Sequence, residues 1–189
     1  MDREVPDYFE LFGLARRFGI DRSALERRFY ELSRETHPDR FATAGPERLK
    51  QAVERMSLLN EGYRTLKDAS ELRTYFLRLE GFEAPTEKAA LPTELAESWF
   101  ELQDAVTDDP VRAPSLIADF ERMLAESISQ ASRELVEIER GIDETQEQLI
   151  PRERLQRLSE GIRAQSYLKS LERDVARIKS RILGQVRDL

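Results

Sequence analysis

There is no cysteine in this chain and only one histidine, His37. Together these absences remove a disulfide framework, a zinc finger and a thiol nucleophile, and one histidine is a poor start for a metal site. Glycine and proline are scarce, eight of each in 189 residues. No apolar run reaches the length that spans a bilayer, and Met1-Asp-Arg-Glu-Val-Pro6 lacks the apolar core of a signal peptide, so a cytoplasmic protein with no membrane partner is expected. An excess of positive charge is missing too. Thirty Lys and Arg stand against 37 Asp and Glu, and a net charge of −7 repels phosphate backbones, so nucleic acid is not an expected partner. What is abundant is Glu, Arg, Leu and Ala, with 35% charged and 40% hydrophobic residues. That is the composition of long solvated helices around a packed core, and the expected fold class is all-α.

The hydrophobic period divides the chain into helices. Asp7 to Phe12 reads as a short helix with Asp7 at its N-cap and Gly13 at its end. From Asp21 to Thr36, Leu25, Phe29 and Leu32 recur at helical steps, and Ser23-x-x-Glu26 offers a capping box. Pro38 must stop this helix, because it pushes the residue before it out of the α region. A loop to Gly45 follows, then Pro46 opens a helix carrying Leu49, Val53, Met56, Leu59, Tyr63 and Leu66 as its apolar stripe. A further helix starts near Ser70, with Leu72, Tyr75, Phe76 and Leu79 apolar and Gly81 as its stop. Residues 1–82 thus form a first unit, an antiparallel helical hairpin with short accessory helices.

Residues 83–92 break the period between prolines and read as a linker. Beyond them, 93–189 should form a three-helix bundle. Thr93 to Val106 is its first helix, Thr107-Asp-Asp-Pro110 a turn, and Ser115 the cap of a helix bearing Leu116, Phe120, Leu124, Ile128, Leu135 and Ile138. The last helix begins near Pro151 and carries Leu155, Leu158, Ile162, Leu168, Leu171, Val175, Ile178 and Ile182 at alternating steps of three and four.

His37-Pro38-Asp39 holds the chemistry. As a general base His37 has no Ser, Cys or Lys partner in a recognisable arrangement, so an enzyme is not expected, nor a cofactor. A helix stop alone would also use Pro and Asp. By average composition the tripeptide turns up by chance in about one chain in a hundred of this length, and here it lies between two amphipathic helices. Proline fixes φ while Asp39 offers a carboxylate for a charge-assisted bond. Arg27, Arg28, Arg34 and Arg40 flank it and could meet an acidic surface, although Glu31 and Glu35 dilute the stripe and Glu31 could simply pair with Arg27. Phe12, Phe29 and Tyr63 read as packing residues that hold the loop in one geometry.

Asp7-Tyr-Phe-Glu-Leu-Phe-Gly-Leu14, Arg28-Phe29, His37-Pro-Asp-Arg-Phe41 and Leu59-Asn-Glu-Gly-Tyr-Arg-Thr-Leu66 together resemble an HscB-type J-domain, over roughly residues 7 to 82. The Tyr-Phe-Glu-Leu-Phe opening and the phenylalanine after the basic residue resemble the iron–sulfur branch in particular. The resemblance implies a co-chaperone whose J-domain docks on an HscA or DnaK-class chaperone and stimulates its ATP hydrolysis; His37, Pro38 and Asp39, with Arg27, Arg28, Arg34 and Arg40 beside them, are the chaperone-binding candidates. It also implies that the carboxy-terminal bundle binds the iron–sulfur scaffold protein IscU. Ser98-Trp-Phe-Glu-Leu-Gln-Asp104 resembles the family's client-binding helix, and Ile162 to Leu171 its final helix.

On that basis Leu95, Trp99, Phe100, Glu101, Asp104 and Tyr167 are the client-binding candidates. Trp99 and Phe100 are adjacent, so they point about 100° apart on a helix, and one can stay exposed as an anchor while the other packs. Glu97, Glu101 and Asp104 share a side and could select a basic client surface or merely solvate the helix. Two other classes stay open: a J-domain protein with a different client, and a structural protein that uses the helix 151–189 as the seam of a homodimer.

Overall fold

The computed structural model describes residues 5–83, 91–109, 111–145 and 149–187. Most of the linker expected at 83–92 and Pro110 of the expected turn lie outside the described residues, as do the first four residues of the chain. Seven α-helices and no strand occur among the described residues: α1 (Tyr8–Phe12), α2 (Arg22–Thr36), α3 (Pro46–Lys67), α4 (Ala69–Leu79), α5 (Thr93–Asp108), α6 (Ala113–Asp143) and α7 (Arg152–Arg187). The all-α expectation holds. Contacts divide the chain into two units, Met1–Ala84 with Glu139–Leu155, and Pro85–Ile138 with Gln156–Leu189. The period-based reading places 93–189 in one bundle; contacts group its segment 139–155 with the first unit.

The first unit has the arrangement expected of an amino-terminal J-domain, a hairpin of α2 and α3 backed by α1 and α4. Helix ends follow the chemistry of their caps. Asp7 accepts from the amides of Phe9 and Glu10, and Gly13 closes α1 at φ 64°. The Ser23 capping box does not form. Asp21 caps α2 instead, accepting from the amides of Ser23 and Ala24, so Ser23 already lies inside the helix.

The α3 stripe also differs from its expectation. Val53 is 50% exposed, and the buried line runs through Ala52, Leu59, Gly62, Thr65 and Leu66. At Gly62 a side chain is excluded because α1 lies close against α3: a Cβ there would stand 2.9 Å from Tyr8 Cδ1 and 3.0 Å from Phe12 Cε2. Phe9, Phe12, Leu25, Leu59, Tyr75 and Phe76 are at most 1% exposed, each worth on the order of 1.5–3 kcal/mol of burial. Tyr75 organises this core. Its ring stacks on Tyr8 at 4.8 Å, its hydroxyl donates to Pro6 O at 2.9 Å, and that hydroxyl accepts from Tyr8 N at 2.7 Å. Burial pushes its hydroxyl up to about 12.

Residues 139–145 join this unit through polar contacts that no hydrophobic period encodes. Asp143 accepts from the amides of Phe18 and Gly19 at 2.7 and 2.8 Å, and Glu139 pairs with Arg73. Both partners of that pair are largely buried, so removing one would leave a costly lone charge.

The second unit is a three-helix bundle of α5, α6 and α7. Leu95, Leu102, Ile117, Phe120, Leu124, Leu168, Leu171 and Val175 form its core. Gly161 on α7 admits Leu135, whose Cδ2 lies 2.8 Å from where a Cβ would be. Ser115 is not the cap of α6. The helix begins at Ala113, and the Ser115 hydroxyl donates back to Arg112 O within its first turn.

Candidate functional site

The His-Pro-Asp segment is an ordered turn with its own capping. His37 ends α2 in an extended conformation, φ −59° and ψ 127°, as a residue before proline must. Pro38 then opens a 3-10 turn over Pro38–Phe41 where an irregular loop was expected; the fixed φ of proline suits its first position. His37 caps it, Nδ1 accepting from Asp39 N at 3.3 Å. The same Nδ1 stands 3.5 Å from Asp39 Oδ2, and Nε2 is the second polar atom of the ring. His37 O accepts from Arg40 N at 3.0 Å, and Arg40 Nη1 donates to Arg34 O at 2.9 Å, covering a carbonyl left over at the end of α2. These bonds leave the Asp39 side chain 91% exposed. A directed carboxylate therefore stands on a backbone whose freedom has already been lost.

Behind the turn, Phe29 of α2 and Tyr63 of α3 stack at 4.3 Å, fixing the spacing of the two helices that present it. The flanking arginines are not equivalent. Arg28 is engaged within the unit, its Nε on Phe12 O and its Nη1 on Glu31 at 2.8 Å, so Glu31 pairs with Arg28 and not with Arg27. Arg27 and Arg34 are exposed. Sequence reasoning missed Tyr30, an aromatic side chain 59% exposed on α2 one turn from each of them. Its position off the Leu25-Phe29-Leu32 line was the available signal.

In the bundle, the two adjacent aromatics of α5 part company. Trp99 packs on the core, tilted against Phe120 at 5.2 Å, and Phe100 is 64% exposed. Leu95, a candidate for client contact, is 1% exposed and belongs to the core, because its position on α5 faces α6 and α7. Glu101 and Asp104 are exposed, Glu101 paired with Arg112 at 2.6 Å, and Tyr167 is exposed on α7. The apolar seam of α7 is used inside its own chain, with Leu158, Leu168, Leu171 and Val175 buried. Among the described residues no helix is long and apolar enough to cross a membrane, and no three potential metal ligands come together.

No family model matches the chain. A curated relative does: the co-chaperone protein HscB of Proteus mirabilis (strain HI4320) is 32% identical over 133 residues, covering 69% of this chain and 77% of that protein. The chain belongs to the HscB co-chaperone family. The HscB chaperone of Vibrio cholerae is similar in structure, with a TM-score of 0.67 at 28% identity over 93% of this chain and 99% of that one. Human co-chaperone protein HscB, at 18% identity, shares the fold, with a TM-score of 0.64 over 94% of this chain and 84% of its own.

Proposed function

We propose that this co-chaperone stimulates the ATPase of an HscA or DnaK-class chaperone through His37, Pro38 and Asp39, and delivers the iron–sulfur scaffold protein IscU for cluster assembly or transfer. One observation carries the first half: a turn fixed by its own hydrogen bonds that leaves the Asp39 carboxylate 91% exposed. Asp39 accepts a charge-assisted bond from a partner arginine or main-chain amide, and His37 Nε2 adds a directional bond. Arg27, Arg34 and Arg40 raise the encounter rate with an acidic face of the chaperone, and Arg28 holds α1 to α2. Binding favours the hydrolysis-competent conformation of the ATPase, and the shift is limited to the difference in affinity between its two states. This mechanism requires no residue of the chain to touch phosphate.

The client half rests on Phe100, an exposed aromatic anchor with acidic neighbours Glu97, Glu101 and Asp104, together with Tyr167. The test is steady-state ATPase of an HscA-class chaperone with and without IscU. Stimulation that rises synergistically with scaffold supports the reading. Stimulation indifferent to scaffold would leave a J-domain protein with another client, and none at all would overturn it.

A further inference from the structure

Directly beside the His-Pro-Asp turn lies a recess of about 300 Å³ lined by Thr36, Phe41, Arg48, Gln51, Ala52 and Arg55. Thr36 and Phe41 bracket the tripeptide in sequence, so one wall of the recess is the base of the proposed docking turn. The other wall is α3, where positions 48, 51, 52 and 55 fall on one face at steps of three, one and three, and the two arginines stand about 10 Å apart along the axis. Among the described residues neither Arg48 nor Arg55 has a hydrogen bond or ion pair, although Glu47 and Glu54 are their sequence neighbours and Glu54 instead reaches Lys50 at 4.0 Å. Four other arginines of this unit are engaged, Arg16 with Asp7, Arg22 with Lys67 O, Arg28 with Glu31 and Arg73 with Glu139, whereas the side chains of Arg27, Arg34, Arg64 and Arg78 have no such partner among the described residues; what sets Arg48 and Arg55 apart is that they line one recess beside the turn. Two free guanidinium forks and a Gln51 amide around a concavity match carboxylates, which a fork can bind bidentately.

We infer that this recess is a second docking site, which takes an acidic segment of the chaperone, two carboxylates spaced along an extended stretch, when Asp39 engages its own partner. The inference rests on the co-chaperone reading and deepens it. The turn and the recess divide the work: the turn biases the ATPase, and the recess contributes affinity and orientation. The occupant belongs to the chaperone because the site is continuous with the docking turn, and its sign is fixed by the two unpaired cations.

The test titrates stimulation of a DnaK-class chaperone's ATPase with the full chain carrying Arg48→Glu and Arg55→Glu, its neutral counterpart with both changed to Gln, and His37→Gln. All exchanged positions are exposed, and circular dichroism verifies folding. The expected result is a half-maximal concentration raised about tenfold for the double Glu chain and less for the Gln chain, with maximal stimulation kept, and a difference that shrinks in about 0.5 M salt. His37→Gln should instead lose stimulation at saturation. Unchanged half-maximal concentrations, beside a wild type that stimulates and a His37→Gln chain that does not, would overturn the recess and leave the co-chaperone reading standing. A wild type that stimulates no such chaperone would overturn both.

Discussion

Gly62→Ala sets two opposed effects against each other at the centre of α3. In an open helix, alanine for glycine is worth about 1 kcal/mol in favour of folding. Here the new Cβ would meet Tyr8 Cδ1 at 2.9 Å, Phe12 Cε2 at 3.0 Å and Tyr8 Cγ at 3.1 Å. Neither ring can retreat easily. Tyr8 is stacked on Tyr75 with its amide bonded to the Tyr75 hydroxyl, and Phe12 is fully buried. Overpacking of this kind costs about 1–3 kcal/mol, so the net expectation is a loss of about 1 kcal/mol. Gly141 supplies the control, since a Cβ there meets nothing within 4 Å, and the same exchange should leave stability unchanged or raise it. Urea unfolding followed by far-ultraviolet circular dichroism reads both. The sole tryptophan, Trp99, lies in the second unit, so its fluorescence is blind to unfolding confined to the first. Gly62→Ala at least as stable as wild type would refute the close packing of α1 on α3.

Other perturbations follow from single contacts. Because burial raises Tyr75 from 10.0 to about 12, the folded state holds that proton more tightly than the unfolded chain. The associated stability, at most about 3 kcal/mol, is present below pH 10 and disappears as pH rises toward 12. Tyr75→Phe should therefore be less stable at neutral pH, where Tyr8 N loses its partner, and show a flatter alkaline limb in thermal melts; an unchanged limb would sink this assignment. Asp21→Ala should cost about 1 kcal/mol and speed amide exchange in the first turn of α2, whereas Ser23→Ala should do neither, a direct contrast between the observed cap and the capping box. Phe100→Ala should weaken IscU binding, read by calorimetry, with stability unchanged within about 0.5 kcal/mol. Trp99→Ala should chiefly destabilise the bundle, and a destabilised Phe100→Ala chain would count against the exposed anchor.

Much of the fold was legible because it rests on local rules. Asp7, Gly13, Pro38 and Pro46 mark helix ends by chemistry that acts within a few residues, and Leu124, Leu158, Leu168 and Val175 fall on the buried faces that their spacing assigns. What stayed hidden depends on partners distant in sequence. Val53 fits the α3 stripe by hydropathy, but the buried line runs instead through Ala52, beside Thr36 and Phe41, and through Gly62, against which α1 packs. Asp143 reads as one more charge on a polar helix end, and only the fold brings it to the amides of Phe18 and Gly19. At the candidate site, the position of the His37-Pro38-Asp39 turn was legible. Its 3-10 geometry, the carbonyl cap from Arg40 and the recess beside Arg48 and Arg55 were not, since each requires α2 and α3 to be placed together. Leu95 could not be told from Phe100 by type, because both are large apolar residues on α5 and only orientation separates core from surface.

The most direct measurement is single-turnover hydrolysis of ATP by an HscA-class chaperone mixed with a saturating amount of this chain, comparing wild type with His37→Gln and Asp39→Asn. A wild type that accelerates hydrolysis at least about tenfold, with both variants near the basal rate while folded, is the expected result. Equal acceleration by all three chains would contradict the assignment of the turn, and no acceleration by the wild type would contradict the proposed activity itself.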